Sequence, residues 1–352
     1  MLSRDSKLFR IVFQIFAVLL AIAFTSVILI ISDGPPLLAY QNIIRGSFGS
    51  VNSFANVLVA WVPLLLAVCG VLITFSAGLW NIGIEGQITI GAIFSTGFLR
   101  MMLDSTLPPG IIIFLCFLVG MAGGALWAAF AGALKVFGGI NEIFGGLGLN
   151  FVATALTIWL IFGPWKRPGI ASMSGTEQFP AHLRLPLIEG LRLSWWSIGI
   201  GVVSFIIVYF LLSNTYFGLR LKAIGKNAKA ASLFGIKPQK YFMISFIVCG
   251  MFAGIAGTLQ VVAVYFRLIP SISSGYGFLG LLVAMLVNYQ ALYVVPVSLL
   301  FAILNIGSIQ LPIVLKLDST LAGILQGSLV LFVLLLEGAR RYFVQKTKGK
   351  NP

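Results

Sequence analysis

The sequence has little charge. Only 9% of its 352 residues are charged, and nine acidic residues stand against 23 basic ones. Soluble domains carry about 25% charged residues, so water is not the solvent for most of this surface. The mean hydropathy is +1.05, and 59% of the residues are hydrophobic. In lipid every backbone polar group must be paired internally, so helices or a closed barrel are the remaining architectures.

Histidine and cysteine are also scarce. His182 is the single histidine, and Cys69, Cys116 and Cys249 each lie inside an apolar run. Such cysteines are typical of small buried side chains and argue against a disulfide framework or a metal site. No nucleophile–base–acid set is visible. Gly225 and Lys226 lack the spacing of an ATP-binding Walker A loop. We therefore expect no catalytic site, no metal and no cofactor in this chain.

Continuous apolar runs of about twenty residues favour membrane-spanning helices over barrel strands. The sequence predicts an all-α, polytopic integral membrane protein with about ten transmembrane helices, forming a single transmembrane domain over residues 1–352. The predicted spans lie near residues 11–31, 55–75, 83–101, 111–134, 143–163, 195–213, 241–266, 276–288, 292–309 and 319–337.

Loop charge predicts the orientation. Fifteen of the 23 basic residues fall in segments that ten spans place inside, so both termini are expected in the cytoplasm. The net charge of +14 then reflects the positive-inside rule and anionic lipid, and we expect no nucleic-acid partner. Residues 164–194 contain four prolines and predict an ordered, turn-rich extracytoplasmic cap. Residues 40–50 predict a short helix along the interface.

Two polar groups interrupt the apolar runs. Asn81, Glu85 and Gln87 lie among glycines at the start of the third span, which is typical either of a transport path built from broken helices or of a capped or paired carboxylate. Asn141 and Glu142 precede a predicted helix start, and Asn150 lies two turns inside that helix. An intramembrane amide either bridges helices or lines a pathway, and the sequence leaves both open.

Residues 214–240, called here the basic segment, hold six lysines and arginines between two long apolar runs. Alanines favour a helix within it, and Pro238 ends the segment before the next span. The segment is typical either of a helix that docks a cytoplasmic partner or of a loop that binds lipid headgroups. Small pairs such as Gly120/Gly124 and Gly250/Gly254 predict close helix packing.

Four stretches occur in an order that resembles the permease subunits of bacterial ABC importers in the branched-chain amino acid, simple sugar and nucleoside family. The resemblance is closest to nucleoside-type permeases. The four stretches are GLWNIGIEGQ (78–87), NEIFGGLGLNF (141–151), GPWKRPG (163–169) and LKAIGKNAKAASLFGI (221–236). Family members usually have Thr and Met where this chain has Gly145 to Gly148, so this sequence departs from the second motif.

The resemblance implies that the basic segment contains a coupling helix docked in a groove of a cytoplasmic ATPase. The implied coupling residues are Gly225, Asn227, Ala230, Ala231, Gly235 and Ile236. It also implies a second permease subunit, identical or paralogous, an extracytoplasmic substrate-binding protein, and a multi-pass location in the bacterial cytoplasmic (inner) membrane. ATP and Mg²⁺ would act in the ATPase subunits.

The expected function is therefore that of a transmembrane permease subunit carrying a small polar solute, with a nucleoside favoured. A nucleoside path needs amides for a base edge and aromatic side chains for stacking. The candidate path residues are Asn81, Glu85, Gln87, Asn150, Phe75 and Trp80. A simple sugar or a riboflavin-like solute would use similar residue types. A secondary transporter or channel, with Glu85 and Glu142 as coupling groups, is the alternative from another class.

Overall fold

The computed structural model describes residues 7–167, 175–287, 290–318 and 320–348, and throughout these ranges its regular secondary structure is helical. The prediction of an all-α protein is thus confirmed. The fourteen α-helices of the described ranges are α1 (Lys7–Ile31), α2 (Pro36–Phe48), α3 (Val51–Ser76), α4 (Ile84–Met101), α5 (Pro109–Val136), α6 (Glu142–Phe162), α7 (Trp195–Ser213), α8 (Tyr216–Lys226), α9 (Ala228–Leu233), α10 (Pro238–Leu259), α11 (Tyr276–Leu286), α12 (Val294–Gly307), α13 (Gln310–Val314) and α14 (Leu321–Lys348). Short 3₁₀ turns occupy Ala181–Leu183 and Ala291–Tyr293.

Some predicted features lie outside the described residues. They are Pro168 and Gly169 of the GPWKRPG stretch, the cap residues 168–174, the first six residues with Arg4, and the end of the chain with Lys350.

Six helical segments among the described residues are long and apolar enough to cross a membrane. They are Val51–Ser76, Pro109–Val136, Glu142–Phe162, Trp195–Ser213, Pro238–Val264 and Ala291–Val314. A seventh candidate combines Val18–Ile31 with Pro36–Phe48, which meet at a bend of 111°. Shorter apolar helices cover Tyr276–Leu286 and Gly323–Leu336. The chain is therefore a multi-pass membrane protein, while the number of about ten spans and the cytoplasmic termini stay predictions.

The chain divides into two compact units, of which the first combines residues 1–57 and 300–352. Helix α2 begins at Pro36. Proline lacks a backbone N–H, but N–H groups in the first turn of a helix have no carbonyl acceptor within the helix, so no hydrogen bond is lost. The Thr25 and Ser328 hydroxyls pair at 3.1 Å, and the Ser47 hydroxyl donates to the Ile303 carbonyl at 2.8 Å. The core consists of Leu29, Ala39, Ile43, Leu311, Leu317, Leu321 and Leu325.

The second unit covers residues 58–299 and is built around α4, α5 and α10. Here the backbones approach closely, because a β-carbon on Gly124 would overlap the Gly250 carbonyl oxygen and one on Gly254 would overlap that of Gly120. The predicted packing role of these glycine pairs is confirmed. The Ser95 and Thr258 hydroxyls pair at 2.7 Å between α4 and α10. Lipid provides no hydrophobic driving force for helix association. Small residues therefore matter because they allow the helix backbones to come into van der Waals contact.

The described part of the 164–194 cap is fastened to the end of α10. After Leu259 the helix continues as a π-turn over Gln260–Val264, and carbonyl groups of this turn and of the residues after it accept backbone hydrogen bonds from the cap. The Leu185 N–H donates to Val262 O at 3.0 Å, and the Phe179 N–H donates to Phe266 O at 2.8 Å. The described part of the cap therefore consists mainly of turns and extended chain bonded to the end of α10.

Candidate functional site

The amides of Asn81 and Gln87 face each other in the interior of the second unit. The Gln87 amide donates to Asn81 Oδ1 at 3.0 Å, and the Asn81 amide donates back to Gln87 Oε1 at 3.2 Å. The same Asn81 nitrogen lies 3.1 Å from Cys249 Sγ. Both amides are buried and each donates one hydrogen bond to the other, so they form a polar link between the start of α4 and α10.

This polar link lies deep within the helical layer. Cys249 follows Pro238, the first residue of α10, by three turns of helix. At about 1.5 Å per residue that is roughly 16 Å, about half of the ~30 Å hydrocarbon thickness. Cys249 also contacts α3 within two turns of that helix's C-terminal end, since a β-carbon on Gly70 would lie 3.1 Å from the Cys249 sulfur. The chain after α3 therefore re-enters the layer before α4 begins.

Asn150 joins α6 to the same re-entrant stretch. Its Oδ1 accepts the Gly86 N–H at 2.8 Å, and its amide donates to the Ile82 carbonyl at 3.0 Å. The Gly86 N–H lies in the first turn of α4 and the Ile82 carbonyl lies in the loop before it. Neither group has a hydrogen-bond partner within the helix, so Asn150 satisfies both. Asn150 is 8% exposed, so the structure places it as a helix-to-loop bridge. Its proposed path role stays a prediction.

The Glu85 carboxylate binds the N-terminus of α11. Its Oε1 accepts the Gly275 N–H at 3.0 Å and its Oε2 accepts the Gly277 N–H at 2.7 Å. Gly275 has φ +74°, a left-handed conformation that favours glycine and turns the chain into α11. A carboxylate at a helix N-terminus is stabilised by the exposed N–H groups and by the helix dipole.

Two helix starts therefore meet at one carboxylate, because Glu85 is also the second residue of α4. The approach is close: a β-carbon on Gly277 would lie 2.8 Å from the Glu85 backbone nitrogen and would overlap its carboxylate. Helix α11 has only 11 residues, so it is about 16 Å long and covers half of a bilayer. This arrangement matches the broken-helix geometry that membrane transporters use.

Trp80 presents the largest exposed surface among the predicted path residues. Its side chain is 41% exposed, whereas Phe75, against which it packs with ring centroids 5.1 Å apart, is 5% exposed. Trp80 immediately precedes the Asn81–Gln87 pair, so an accessible aromatic face lies next to the buried amides. The remaining candidates are engaged in internal contacts.

An ion pair closes the loop between α5 and α6. Lys135 Nζ lies 2.6 Å from Glu142 Oε2, and Asn141 Oδ1 accepts the Ile143 N–H at 2.8 Å as the N-cap of α6. The predicted helix start at Asn141 and Glu142 is thereby confirmed. Among the described residues, no three His, Cys, Asp or Glu side chains come together, so this part of the chain offers no candidate metal site.

The basic segment folds as two helices that are separated by one residue. Asn227 has extended backbone angles, ends α8, and caps α9 by accepting the Ala230 N–H at 3.0 Å. Gly235, with φ +79°, follows the end of α9 and donates to Ser232 O at 3.0 Å, while Ile236 N–H donates to Ala231 O at 3.2 Å. Those two bonds form a Schellman motif at the C-terminal end of α9, so together with the Asn227 cap both ends of this short helix are fixed.

The most exposed apolar side chains of the basic segment were not singled out from the sequence. Leu233 is 88% exposed and Phe234 is 86% exposed, although Ala231 on the same helix is buried. They occupy the C-terminal end of α9 and the residue after it. Two adjacent large apolar groups on a capped helix are typical of an interaction surface. The sequence alone does not indicate that Ala231 of α9 packs inward while Leu233 points outward.

The end of α8 packs against the turn that follows α3. A β-carbon on Gly225 would overlap the Ser76 carbonyl oxygen, and one on Gly78 would lie 3.2 Å from the Gly225 Cα. Gly78 has φ +77°, so its turn also depends on glycine. Because Gly78 precedes Trp80 and Asn81 by only a few residues, the basic segment is connected mechanically to the buried amide pair.

The chain is similar to known membrane proteins over most of its length. The family profile described as "Branched-chain amino acid transport system / permease component" matches residues 53–334. The chain is 29% identical over 346 residues to a glucose ABC transporter permease protein of Haloferax volcanii, covering 94% of this chain and 88% of that protein. It is 26% identical over 349 residues to a guanosine ABC transporter permease protein of Bacillus subtilis, with 98% and 97% coverage. A nucleoside ABC transporter permease protein of Lactococcus lactis is 24% identical over 313 residues, with 86% and 85% coverage.

Proposed function

Because the chain belongs to the family of branched-chain amino acid transport system permease components, we propose that it is the transmembrane permease subunit of an ATP-driven ABC importer for a nucleoside. The chain provides the path and alternates between two access states, while ATP hydrolysis takes place in cytoplasmic partner subunits. An extracytoplasmic substrate-binding protein delivers the solute, and a second permease subunit completes the transporter in the bacterial inner membrane.

The observation that carries this proposal is the exposed pair Leu233 and Phe234 on α9. We assign this pair, with the cap residue Asn227, as the coupling surface that enters a groove of the ATPase subunit. Exposed aromatic and aliphatic anchors in the centre of an interface contribute most of its binding energy. The surrounding lysines favour a partner surface of negative charge, and Gly235 supplies the left-handed turn that ends the helix.

The transmission step follows from the Gly225–Gly78 contact. Movement of α8 with the ATPase displaces the turn after α3, because Gly225 and Gly78 touch through their backbones and no flexible side chain lies between them to absorb the movement. That turn continues into Trp80 and the Asn81–Gln87 pair, which is anchored to α10 through Cys249. Rigid-body movement of this kind is a common form of switching between packed states.

The topology of ten spans is part of the proposal. It adds α1, α4, α11 and α14 to the six long apolar segments, with α2 along the interface. The turn at Gly78 and the basic segment touch in the second unit, as two segments on the same membrane face must. The cap and the residues after α10 are bonded to each other and belong to the opposite face. These contacts support placing the basic segment and the cap on opposite faces, and the basic charge of the segment assigns its face to the cytoplasm in this proposal.

Trp80 is the proposed stacking surface for the solute. Its accessible face lies beside amides, and a nucleobase offers both a π-surface and hydrogen-bonding edges. Relatives named for guanosine and nucleoside support this choice. A simple sugar is the second candidate, because the relative from Haloferax volcanii is named for glucose and an indole ring also stacks on sugar rings. A riboflavin-like solute has the same aromatic character as a nucleobase.

The assembly experiment is purification of the detergent-solubilised chain from its native membrane, with mass spectrometry and an ATPase assay on the eluate. We expect an ATPase to copurify with the wild-type chain and to be lost with Leu233→Ala/Phe234→Ala. The matched control is Leu107→Ala, an exposed leucine in the loop before α5. A monodisperse chain that elutes without any ATPase would favour a secondary transporter or channel, with Glu85 and Glu142 as its coupling groups.

The solute experiment measures uptake of radiolabelled guanosine and glucose into cells that express the complete transporter. Guanosine uptake that unlabelled nucleosides compete with, and glucose does not, supports the proposal. The opposite competition pattern assigns the sugar instead.

A further inference from the structure

The N-terminus of α7 forms one wall of a small cavity that the transport proposal does not use. Its polar lining consists of Arg192, Ser194 and Ser197, and its apolar lining includes Val62 from α3 and Ala263 from the π-turn. The free space within the cavity is about 10 Å³. That is roughly the space needed for one water-sized atom.

Two hydroxyl groups in this cavity have no protein partner. Ser194 is 2% exposed and Ser197 is 7% exposed, and neither Oγ forms a hydrogen bond with any described residue. A buried hydroxyl without a hydrogen bond costs about 1–3 kcal/mol, so most such groups in proteins are satisfied. Ser194 is also the N-cap residue of α7, yet its side chain makes no capping bond. Both hydroxyls are therefore available to a ligand.

The electrostatic character of the cavity favours an anion. The first turn of α7 directs backbone N–H groups and the positive end of the helix dipole toward its N-terminus. Arg192 adds a full positive charge beside the same turn. Helix N-termini with an adjacent cation and hydroxyl donors are established binding geometry for phosphate groups.

Two adjacent tryptophans show that this turn belongs to the edge of the membrane. Trp195 is 70% exposed and Trp196 is 65% exposed at the beginning of a 19-residue apolar helix. Exposed tryptophans at the end of a span are typical of the headgroup level of a bilayer. We propose that Arg192, Ser194 and Ser197 bind one phosphate group, with a single oxygen atom inserted between the two hydroxyls. A phospholipid headgroup or free phosphate supplies this group.

The test is native mass spectrometry of the intact importer, purified in detergent and titrated with phosphatidylglycerol or with dioleoylglycerol, which lacks the phosphate. We expect saturable binding of phosphatidylglycerol alone. Arg192→Gln and Ser194→Ala/Ser197→Ala should each weaken this binding about tenfold, as expected for loss of a charge-assisted hydrogen bond. The control is Ser204→Ala, a buried serine on α7 that does not line the cavity.

Arg192 is exposed, so its substitution tests the site even if the double serine variant does not fold. Displacement of the lipid by inorganic phosphate in the wild type, and not in the Arg192 variant, identifies free phosphate as a second source of the same ligand. Equal binding of both lipids, or phosphatidylglycerol binding that neither variant weakens, overturns the proposal and leaves a water molecule as the occupant. This inference does not depend on which solute is transported.

Discussion

Gly225 and Gly78 lie backbone against backbone, with the Gly225 Cα 3.2 Å from the position that a β-carbon on Gly78 would occupy. This contact joins the basic segment, which we propose to bind the ATPase, to the re-entrant chain that carries Trp80 and the buried amide pair. The two residues are distant in the sequence and adjacent in space. A glycine-to-alanine substitution at this contact, which adds a single methyl group, therefore tests the coupling mechanism.

Gly225→Ala should uncouple ATP hydrolysis from uptake. The added methyl group would overlap the Ser76 carbonyl oxygen and separate α8 from the turn after α3, at a packing cost of about 1–3 kcal/mol. The measurement is solute uptake per ATP hydrolysed in proteoliposomes. Gly199→Ala is the control, because a β-carbon there meets open space. An unchanged ratio in the Gly225 variant would remove this contact from the mechanism.

Glu85→Gln should lower both the unfolding temperature and the rate of transport, while the importer still assembles. The substitution removes the negative charge that the N-terminus of α11 receives, and hydrogen bonds to charged groups contribute about 1.5–3 kcal/mol each. Differential scanning fluorimetry and uptake measure the two effects. Glu177→Gln, in the exposed cap, should leave both unchanged. A Glu85 variant that no longer assembles at all would assign this carboxylate a purely structural role.

Gly235→Pro should abolish coupling, whereas Gly235→Asn should preserve most of it. Proline fixes φ near −65°, which is incompatible with the observed +79°, and it removes the N–H that binds Ser232 O. Asparagine tolerates the left-handed region, and nothing lies within 4 Å of a β-carbon at this position. The measurement is copurification of the ATPase together with uptake. Equal behaviour of the two variants would contradict the requirement for this backbone conformation.

Trp80→Ala should raise the KM for nucleoside uptake about tenfold, because stacking on an aromatic side chain contributes about 1–3 kcal/mol per base. Trp80→Phe retains a ring and should restore most of the affinity. Uptake kinetics over a concentration series provide the measurement. A KM that is unchanged in Trp80→Ala, with maximal uptake intact, would exclude this ring from solute binding.

Local features were predictable from the sequence. The start of α6 at Asn141 and Glu142, and the start of α10 at Pro238, depend on capping and on proline chemistry within a few residues. The close packing of α5 and α10 followed from glycines spaced four apart. The long apolar helices followed from composition alone.

Contacts between distant residues were not predictable in the same way. The Glu85 carboxylate meets Gly275 across a separation of 190 residues, and no spacing rule connects them. The interruption of the basic segment at Asn227 depends on that side chain capping α9 in place of continuing α8. The exposure of Leu233 and Phe234 required knowledge of which face of α9 packs inward.

The burial of all three cysteines has a practical consequence for following the transport cycle. Cys69, Cys116 and Cys249 are free thiols with no exposed surface, and Cys249 sits beside the amide of Asn81. Thiol-reactive dyes should therefore leave the resting protein unlabelled, and a single cysteine introduced on α9 would report that helix without background. The rate at which a dye labels Cys249 during ATP turnover would then measure how often the re-entrant chain separates from α10. The native thiol therefore reports this opening without any engineered cysteine.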